Sequence, residues 1–298
     1  MLDWNTPKLS DKEWIDKCVK EAQYIGSDAA FANIYLLRSK YNIKVTYYKD
    51  LLIRYYEGLG NRKGYTFPLG RKDVLSALYA IEQDAKEMNR PLEFCFVTEE
   101  QKEILENTFA GRTECSSDVG DYDYIYGQPE LSLLSGRTYH KKKNHVSKFK
   151  RTYENYMFCE IGNGNLDDVM LIEDEWHYDR LQQGDTSAMK EYEAIREAVD
   201  NFEELSLSGG IIYANNVPAA MTIASYINDE AVDIHFEKAV GEYAVNGGFA
   251  AINQMYASTL KDVKYINREE DINIPGLRKA KESYHPKFML KKYGVRVK

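Results

Sequence analysis

The stretch GIIYANNVPAAMTIASYINDEAVDIHFE, residues 210–237, decides the fold that we predict for this chain. It contains three runs of apolar and β-branched residues, at 210–214, 219–227 and 231–236. The short turns NNVP and NDE separate them, which is typical of an antiparallel meander. Downstream, Gly247 and Gly248 begin a predicted helix with one apolar face, and residues 264–266 predict another strand.

The first half of the chain repeats this order without repeating the residues. Residues 43–67 predict strands, 71–86 a helix and 92–97 a buried strand. Two related α+β lobes packed together are the simplest explanation. We expect an N-terminal lobe at 1–120, a basic connecting segment at 121–156 and a C-terminal lobe at 157–298.

Composition restricts the classes of function. The chain has 298 residues, 44% of them hydrophobic, and a net charge of -8, so a polyanion would need a local basic patch. The cysteines are widely spaced with no Cys-x-x-Cys, which argues against a structural zinc or a disulfide framework. No apolar run approaches the ~20 residues that span a bilayer, and no signal peptide is evident. We expect a cytoplasmic protein without a membrane span.

The basic run from Gly136 to Tyr153 stands out in this acidic chain. If 138–152 is one helix, four residues share an apolar face: Tyr139, Val146, Phe149 and Tyr153. Lys142 falls on that same face, where its charge is costly unless it is paired. The opposite face carries Lys141, Asn144, His145, Lys148 and Arg151. The run is either a solvated surface helix or a basic wall for phosphate or carboxylate groups.

Three further clusters have both a structural and a functional interpretation. Strand alternation places Asp233, His235 and Glu237 on one face and Lys238 on the other. This cluster is interpreted as part of a surface strand, as a general-base site or, with less support, as a metal site. Arg268 and Arg278 lie in a charged loop and helix start and would suit a carboxylate or phosphate clamp. The glycines at 247 and 248 form either a simple turn or an anion site at a helix N-terminus.

Three ordered blocks resemble one family. They are DYDYIY with LSGRTYHKKKNH (121–126 and 134–145), HFEKA (235–239) and INREEDINIPGLRKAKESY (266–284). They are similar to the C-terminal catalytic domain of phosphatidylglycerol lysyltransferases and their soluble relatives. The resemblance implies two tandem GNAT-like (acyl-CoA N-acyltransferase) lobes, each a mixed, mostly antiparallel sheet flanked by helices.

The resemblance also implies an activity and a set of site residues. The protein would move an aminoacyl or acyl group to an amine or hydroxyl acceptor, with aminoacyl-tRNA or acyl-CoA as donor and tRNA as a partner. Glu237 and Lys238 would be catalytic, and Gly247 and Gly248 would contact a cofactor. The residues expected to bind substrate or donor are Arg137, Lys141, Lys143, Asn144, Asn267, Arg268, Asp271, Arg278 and Lys279. The alternatives are an acyl-CoA-dependent N-acetyltransferase and a non-catalytic binding module. Acetyl-CoA binding would favour the first, and polyanion binding without turnover the second.

Overall fold

A computed structural model describes residues 2–184 and 188–298, which form two compact units. The first unit runs to Tyr124 and also contains Glu269–Lys279 and Phe288–Lys298. The second unit comprises Ile125–Arg268 and Ala280–Lys287. The boundaries of these two units differ from the boundaries predicted at 120 and 156. Residues 125–156 of the basic connecting segment fold within the second unit, whereas 121–124 belong to the first. The last strand of the chain also pairs within the first unit.

The helices and strands at 43–97, 138–152 and 210–267 follow the sequence-based expectations closely. The helices are α1 (Lys12–Glu21), α2 (Phe31–Leu36), α3 (Leu75–Glu87), α4 (Glu99–Thr108), α5 (Gln128–Leu133), α6 (His140–Thr152), α7 (Leu166–Gln182), α8 (Ala188–Asp200), α9 (Gly241–Val245), α10 (Gly248–Thr259) and α11 (Pro275–Glu282). The strands are β1 (Lys44–Tyr48), β2 (Leu51–Glu57), β3 (Lys63–Thr66), β4 (Leu92–Val97), β5 (Thr113–Ser117), β6 (Asp123–Gly127), β7 (Tyr156–Glu160), β8 (Ser208–Ala214), β9 (Val217–Tyr226), β10 (Ala231–Ala239), β11 (Tyr265–Asn267), β12 (Phe288–Leu290) and β13 (Tyr293–Val297).

The first unit is built on a sheet with the order β1-β2-β3-β4-β13-β5. All of its neighbouring strands are antiparallel except the parallel pair β3 and β4. The hairpin between β1 and β2 turns at Lys49 and Asp50, which both have a positive φ, as the tight two-residue hairpin turn requires. Ile81 of α3 packs into the same buried core as Phe94 of β4.

The second unit places its strands side by side in the order β6-β11-β10-β9-β8-β7. Strands β8 to β10 form the predicted antiparallel meander, and β7 adds antiparallel to β8. The β8–β9 turn at Asn215 and Asn216 again has positive φ at both residues. Strand β11 is parallel to β10 and antiparallel to β6. Phe149 of α6 and Ile252 of α10 are fully buried in one core over β8 and β9.

The common order predicted for the two halves is present in the structure. In each unit, a meander, a helix and a strand parallel to the last meander strand follow one another: β1–β3, α3 and β4, then β8–β10, α10 and β11. The predicted fold class, α+β with mixed, mostly antiparallel sheets flanked by helices, is therefore confirmed. Within residues 2–184 and 188–298, every helix is too short or too polar to cross a bilayer.

Candidate functional site

Glu237 lies at the point where the parallel strands β10 and β11 of the second unit are no longer paired. Strand β11 pairs with β10 only as far as Asn267 opposite Asp233, while β10 continues past Glu237. Arg268, the first residue after β11, then donates from Nη2 to Glu237 Oε1 at 2.7 Å. The pair is well buried, with side-chain exposures of 12% for Arg268 and 9% for Glu237. Ligands of open α/β sheets commonly bind beyond the carboxyl ends of parallel strands, which is the position of this ion pair.

Asn253 of α10 holds the other oxygen of Glu237. Its Nδ2 donates to Glu237 Oε2 at 3.0 Å, so both carboxylate oxygens are engaged. Two buried polar atoms nearby have no hydrogen-bond partner among the described residues: Nη1 of Arg268 and Oδ1 of Asn253. Native proteins satisfy most buried polar atoms, and an orphan donor or acceptor often marks a place that a ligand or water fills.

The ring of Tyr284 brings two cations to the same place. Arg268 Cζ lies 4.6 Å and Lys142 Nζ lies 3.7 Å from the ring centroid, both within the range of cation–π attraction. Tyr284 is itself buried. Together Lys142, Glu237, Asn253, Arg268 and Tyr284 form what we term the Glu237 cluster, and all five belong to the second unit.

Lys142 has an unusual environment for a lysine. Burial lowers its pKa to about 8, the positive charge of Arg268 acts in the same direction, and the carboxylate of Glu237 opposes both. The helical count of the basic run predicted that Lys142 would lie on the apolar face of α6. The structure agrees, since Tyr139, Val146 and Phe149 are buried on that helix side and Lys142 is half-buried.

Strand β10 does not alternate as the sequence predicts, because it contains a bulge. Its register with β9 shifts between Ile234 and Phe236, so Asp233 pairs with Ser225 whereas Glu237 pairs with Thr222. Paired residues share a face of the sheet. The partners on β9, Thr222 and Ser225, are separated by an odd number of positions and so face opposite sides, which puts Asp233 and Glu237 on opposite faces as well. The predicted alignment of Asp233, His235 and Glu237 on one face is therefore wrong. The surface-strand interpretation is wrong as well, since Asp233 and His235 are buried.

Lys238 points away from the Glu237 cluster. It is buried against α7 and α8, where it forms an ion pair with Glu191 and its Nζ lies 2.9 Å from the ring centroid of Trp176. Burial lowers the pKa of Lys238, and Glu191 opposes that effect. Consecutive strand residues face opposite sides, so the structure does not bring the predicted catalytic pair Glu237 and Lys238 together.

The other predicted binding residues lie outside the cluster. Arg137, Lys141, Lys143 and Asn144 are exposed at the start of α6. In the first unit, Arg278 donates from Nε and Nη2 to the buried Asp271 at 2.7 and 2.8 Å, and Lys279 is exposed. Arg268 and Arg278 therefore each pair with a separate carboxylate, rather than being left open as a clamp. Asn267 is buried within β11.

Gly247 and Gly248 have a packing reason for being glycine. Gly247 has a φ of 101°, and a Cβ there would lie 2.4 Å from the carbonyl oxygen of His145 in α6. A Cβ on Gly248 would lie 2.8 Å from the carbonyl oxygen of Tyr243. The pair allows the beginning of α10 to pack directly against α6 and α9, which favours the simple-turn interpretation over a cofactor contact.

Neither Asn253 nor the contacts of Tyr284 were predicted from the sequence. Asn253 follows the core residue Ile252 on a helix whose apolar face was recognised, and a polar side chain beside that face was the available signal. Tyr284 closes the third block of the family resemblance, but nothing in its spacing indicated a contact with Lys142.

Comparisons with known proteins agree with this architecture. A family profile described as "Phosphatidylglycerol lysyltransferase, C-terminal" matches residues 20–296. A conserved protein of unknown function from Bacteroides thetaiotaomicron is 30% identical with a TM-score of 0.93, and 100% of each chain is covered. No curated protein matches the chain.

Two more distant structures show the same fold. L-PGS from Bacillus licheniformis is 14% identical with a TM-score of 0.67, covering 96% of this chain and 92% of that one. FemX is 9% identical with a TM-score of 0.61, covering 100% of this chain and 98% of that one. These likenesses agree with the expectation of two tandem GNAT-like lobes, which is the fold class of this protein. The match over residues 20–296 extends through both units and the Glu237 cluster, and the chain belongs to the phosphatidylglycerol lysyltransferase C-terminal family.

Proposed function

We propose that this protein is a transferase that moves an aminoacyl or acyl group to an amine or hydroxyl acceptor at the Glu237 cluster. The observation that carries the proposal is a buried carboxylate, Glu237, held on both oxygens beside two cations and two orphan polar atoms. Buried charges arranged in this way are more typical of functional sites than of cores. Family membership supports the reaction class.

Glu237 is proposed to accept the proton of the attacking amine or hydroxyl. The acceptor adds to the carbonyl carbon of the donor, and the bond to the leaving oxygen of the donor then breaks. The fixed geometry of the carboxylate, with Arg268 on one oxygen and Asn253 on the other, would orient it for this step.

In this proposal the cation that stabilises the developing charge is Lys142 rather than Lys238, which the family resemblance implied to be catalytic. The Lys142 ammonium and the Arg268 guanidinium lie against one aromatic ring, where they would stabilise the negative charge that develops on the carbonyl oxygen. A lysine with a pKa of about 8 is also a stronger acid than an ordinary lysine, so Lys142 would protonate the leaving oxygen.

The exposed side of α6 is proposed to bind a polyanionic donor such as aminoacyl-tRNA. Lys141, Lys143 and Arg151 are exposed on the helix that carries Lys142, in a chain whose net charge is -8. A local basic surface on an acidic protein is suited to phosphate contacts, and such binding weakens steeply with added salt.

Incubation of the protein with labelled aminoacyl-tRNA and a mixture of amine and hydroxyl acceptors tests the proposal. We expect label to leave the tRNA for an acceptor, with initial rates that fall steeply as salt is added. Lys142→Met should abolish transfer, and Lys264→Met is the matched control because Lys264 is exposed and pairs with Glu230 at the surface. Tight acetyl-CoA binding in place of transfer from tRNA would replace the proposed donor by acyl-CoA.

A further inference from the structure

We infer that Asn253 is a specificity-determining residue, whose Oδ1 accepts a hydrogen bond from an amine or hydroxyl on the carbon next to the carbonyl of the transferred group. The inference rests on the proposed function, because it assigns the carbonyl-bearing ligand to the Glu237 cluster. It goes further by distinguishing an α-substituted acyl group from a plain one.

The orientation of the Asn253 side chain is settled by its partner. Glu237 is paired with the Arg268 guanidinium at 2.7 Å, so its carboxylate offers acceptors only. The Asn253 atom that faces Oε2 at 3.0 Å must therefore be the amide nitrogen. This leaves Oδ1 as a fixed acceptor, and Asn253 as a residue is only 4% exposed.

The two orphan atoms are chemically complementary to one ligand. Asn253 Oδ1 needs a hydrogen-bond donor, and Arg268 Nη1 needs an acceptor. They lie at the two ends of a continuous chain of hydrogen bonds, Asn253 to Glu237 to Arg268. A carbonyl group with an amine or hydroxyl on the adjacent carbon supplies an acceptor and a donor a short distance apart.

An unsubstituted acyl group satisfies only one of these atoms. It would give Arg268 Nη1 a carbonyl oxygen but would leave Asn253 Oδ1 buried and unpaired. A buried polar group that a ligand fails to satisfy is a strong source of discrimination, because its desolvation is not compensated. Asn253 would therefore favour α-substituted acyl groups by disfavouring a ligand that has no amine or hydroxyl on the carbon next to the carbonyl.

Three small amides that differ in a single substituent test the inference: alaninamide, lactamide and propionamide carry an amine, a hydroxyl and a hydrogen on the α-carbon. Binding to the whole protein is measured by titration with NMR detection. Alaninamide and lactamide should bind at least about tenfold more tightly than propionamide, the discrimination expected from one buried hydrogen bond. Asn253→Leu should reduce that ratio to near one.

Gln254→Leu is the matched control, since Gln254 is the next residue on α10 and bonds instead to the Ser132 carbonyl and Ser258. It should keep the wild-type ratio. A purely structural role for Asn253 would weaken all three amides equally and leave the ratio unchanged, which would overturn the inference. Equal binding of the three amides by the wild type, or no binding of any, would overturn it too. The ratio is measured without group transfer, so a failed transfer reaction with the ratio intact would remove only the proposed function.

Discussion

Removal of the Arg268 guanidinium tests how the Glu237 cluster is held together. The two side chains of the ion pair are 12% and 9% exposed, and their nearest atoms are 2.7 Å apart. Breaking a buried ion pair by removing one partner costs about 3–5 kcal/mol, because the other charge stays buried without compensation. In Arg268→Leu, Glu237 keeps the amide of Asn253, so we expect a loss near the lower end, about 3 kcal/mol.

The double variant Glu237→Gln/Arg268→Leu should recover much of this loss, because no unpaired charge remains. We expect a coupling free energy of about 2 kcal/mol or more from the double-mutant cycle, measured by urea unfolding at about pH 7.5. The chain contains two compact units, so the unfolding curve is fitted with a separate transition for each one that it resolves. The exposed pair of Glu230 and Lys264 is the control cycle and should show no measurable coupling. A Glu237–Arg268 coupling no larger than that of the control would show that the buried ion pair does not stabilise the fold.

Three other predictions follow from named contacts. NMR titration of the lysine side chains should give Lys142 a midpoint near pH 8. Glu237→Gln should lower this midpoint further, because the carboxylate raises the pKa of Lys142. A midpoint of about 10 or above would show that burial does not lower the pKa of Lys142. Burial raises the pKa of Glu173 from 4.5 to about 7, so the folded state binds more protons between these values and loses stability as pH rises. Glu173→Gln should therefore stabilise the protein by about 1–2 kcal/mol at about pH 8, after a discount for solvent screening, and should give no gain at about pH 4, which pH-dependent thermal melts would check. Gly247→Ala should cost about 1–3 kcal/mol, because φ is 101° and the new methyl would meet the His145 carbonyl, whereas Gly162→Ala, which meets nothing within 4 Å, should melt close to wild type.

The sequence predicted the fold because apolar period and turn chemistry are local signals. The three runs at 210–236 became β8, β9 and β10, and the turn at Lys49 and Asp50 took the positive φ angles that a tight hairpin needs. Residues 112–120 carry no clear local pattern, and β5 forms there by pairing with β13, about 180 residues further along the chain. Contacts of that range decide which unit a segment joins, and no local pattern reports them.

The candidate site could be predicted from the sequence only in part, for the same reason. Helical spacing placed Lys142 on the buried face of α6, and the family resemblance pointed to Glu237 and Arg268. The bulge at His235 is a one-residue register shift with no signature in the sequence, and it puts Asp233 and Glu237 on opposite faces of the sheet. Asn253 entered the site through tertiary packing of α10 on β10, so its bond to Glu237 could not be read from spacing.

The single-turnover rate of transfer from aminoacyl-tRNA in Glu237→Gln tests the central claim most directly. Loss of a general base lowers a rate by about 10²–10⁴-fold, and we expect a loss in that range with donor binding unchanged. Glu230→Gln removes a carboxylate of the same unit that is exposed at the surface, and should leave the rate as in the wild type. A rate in Glu237→Gln within about twofold of that control would contradict the assignment of the reaction to the Glu237 cluster.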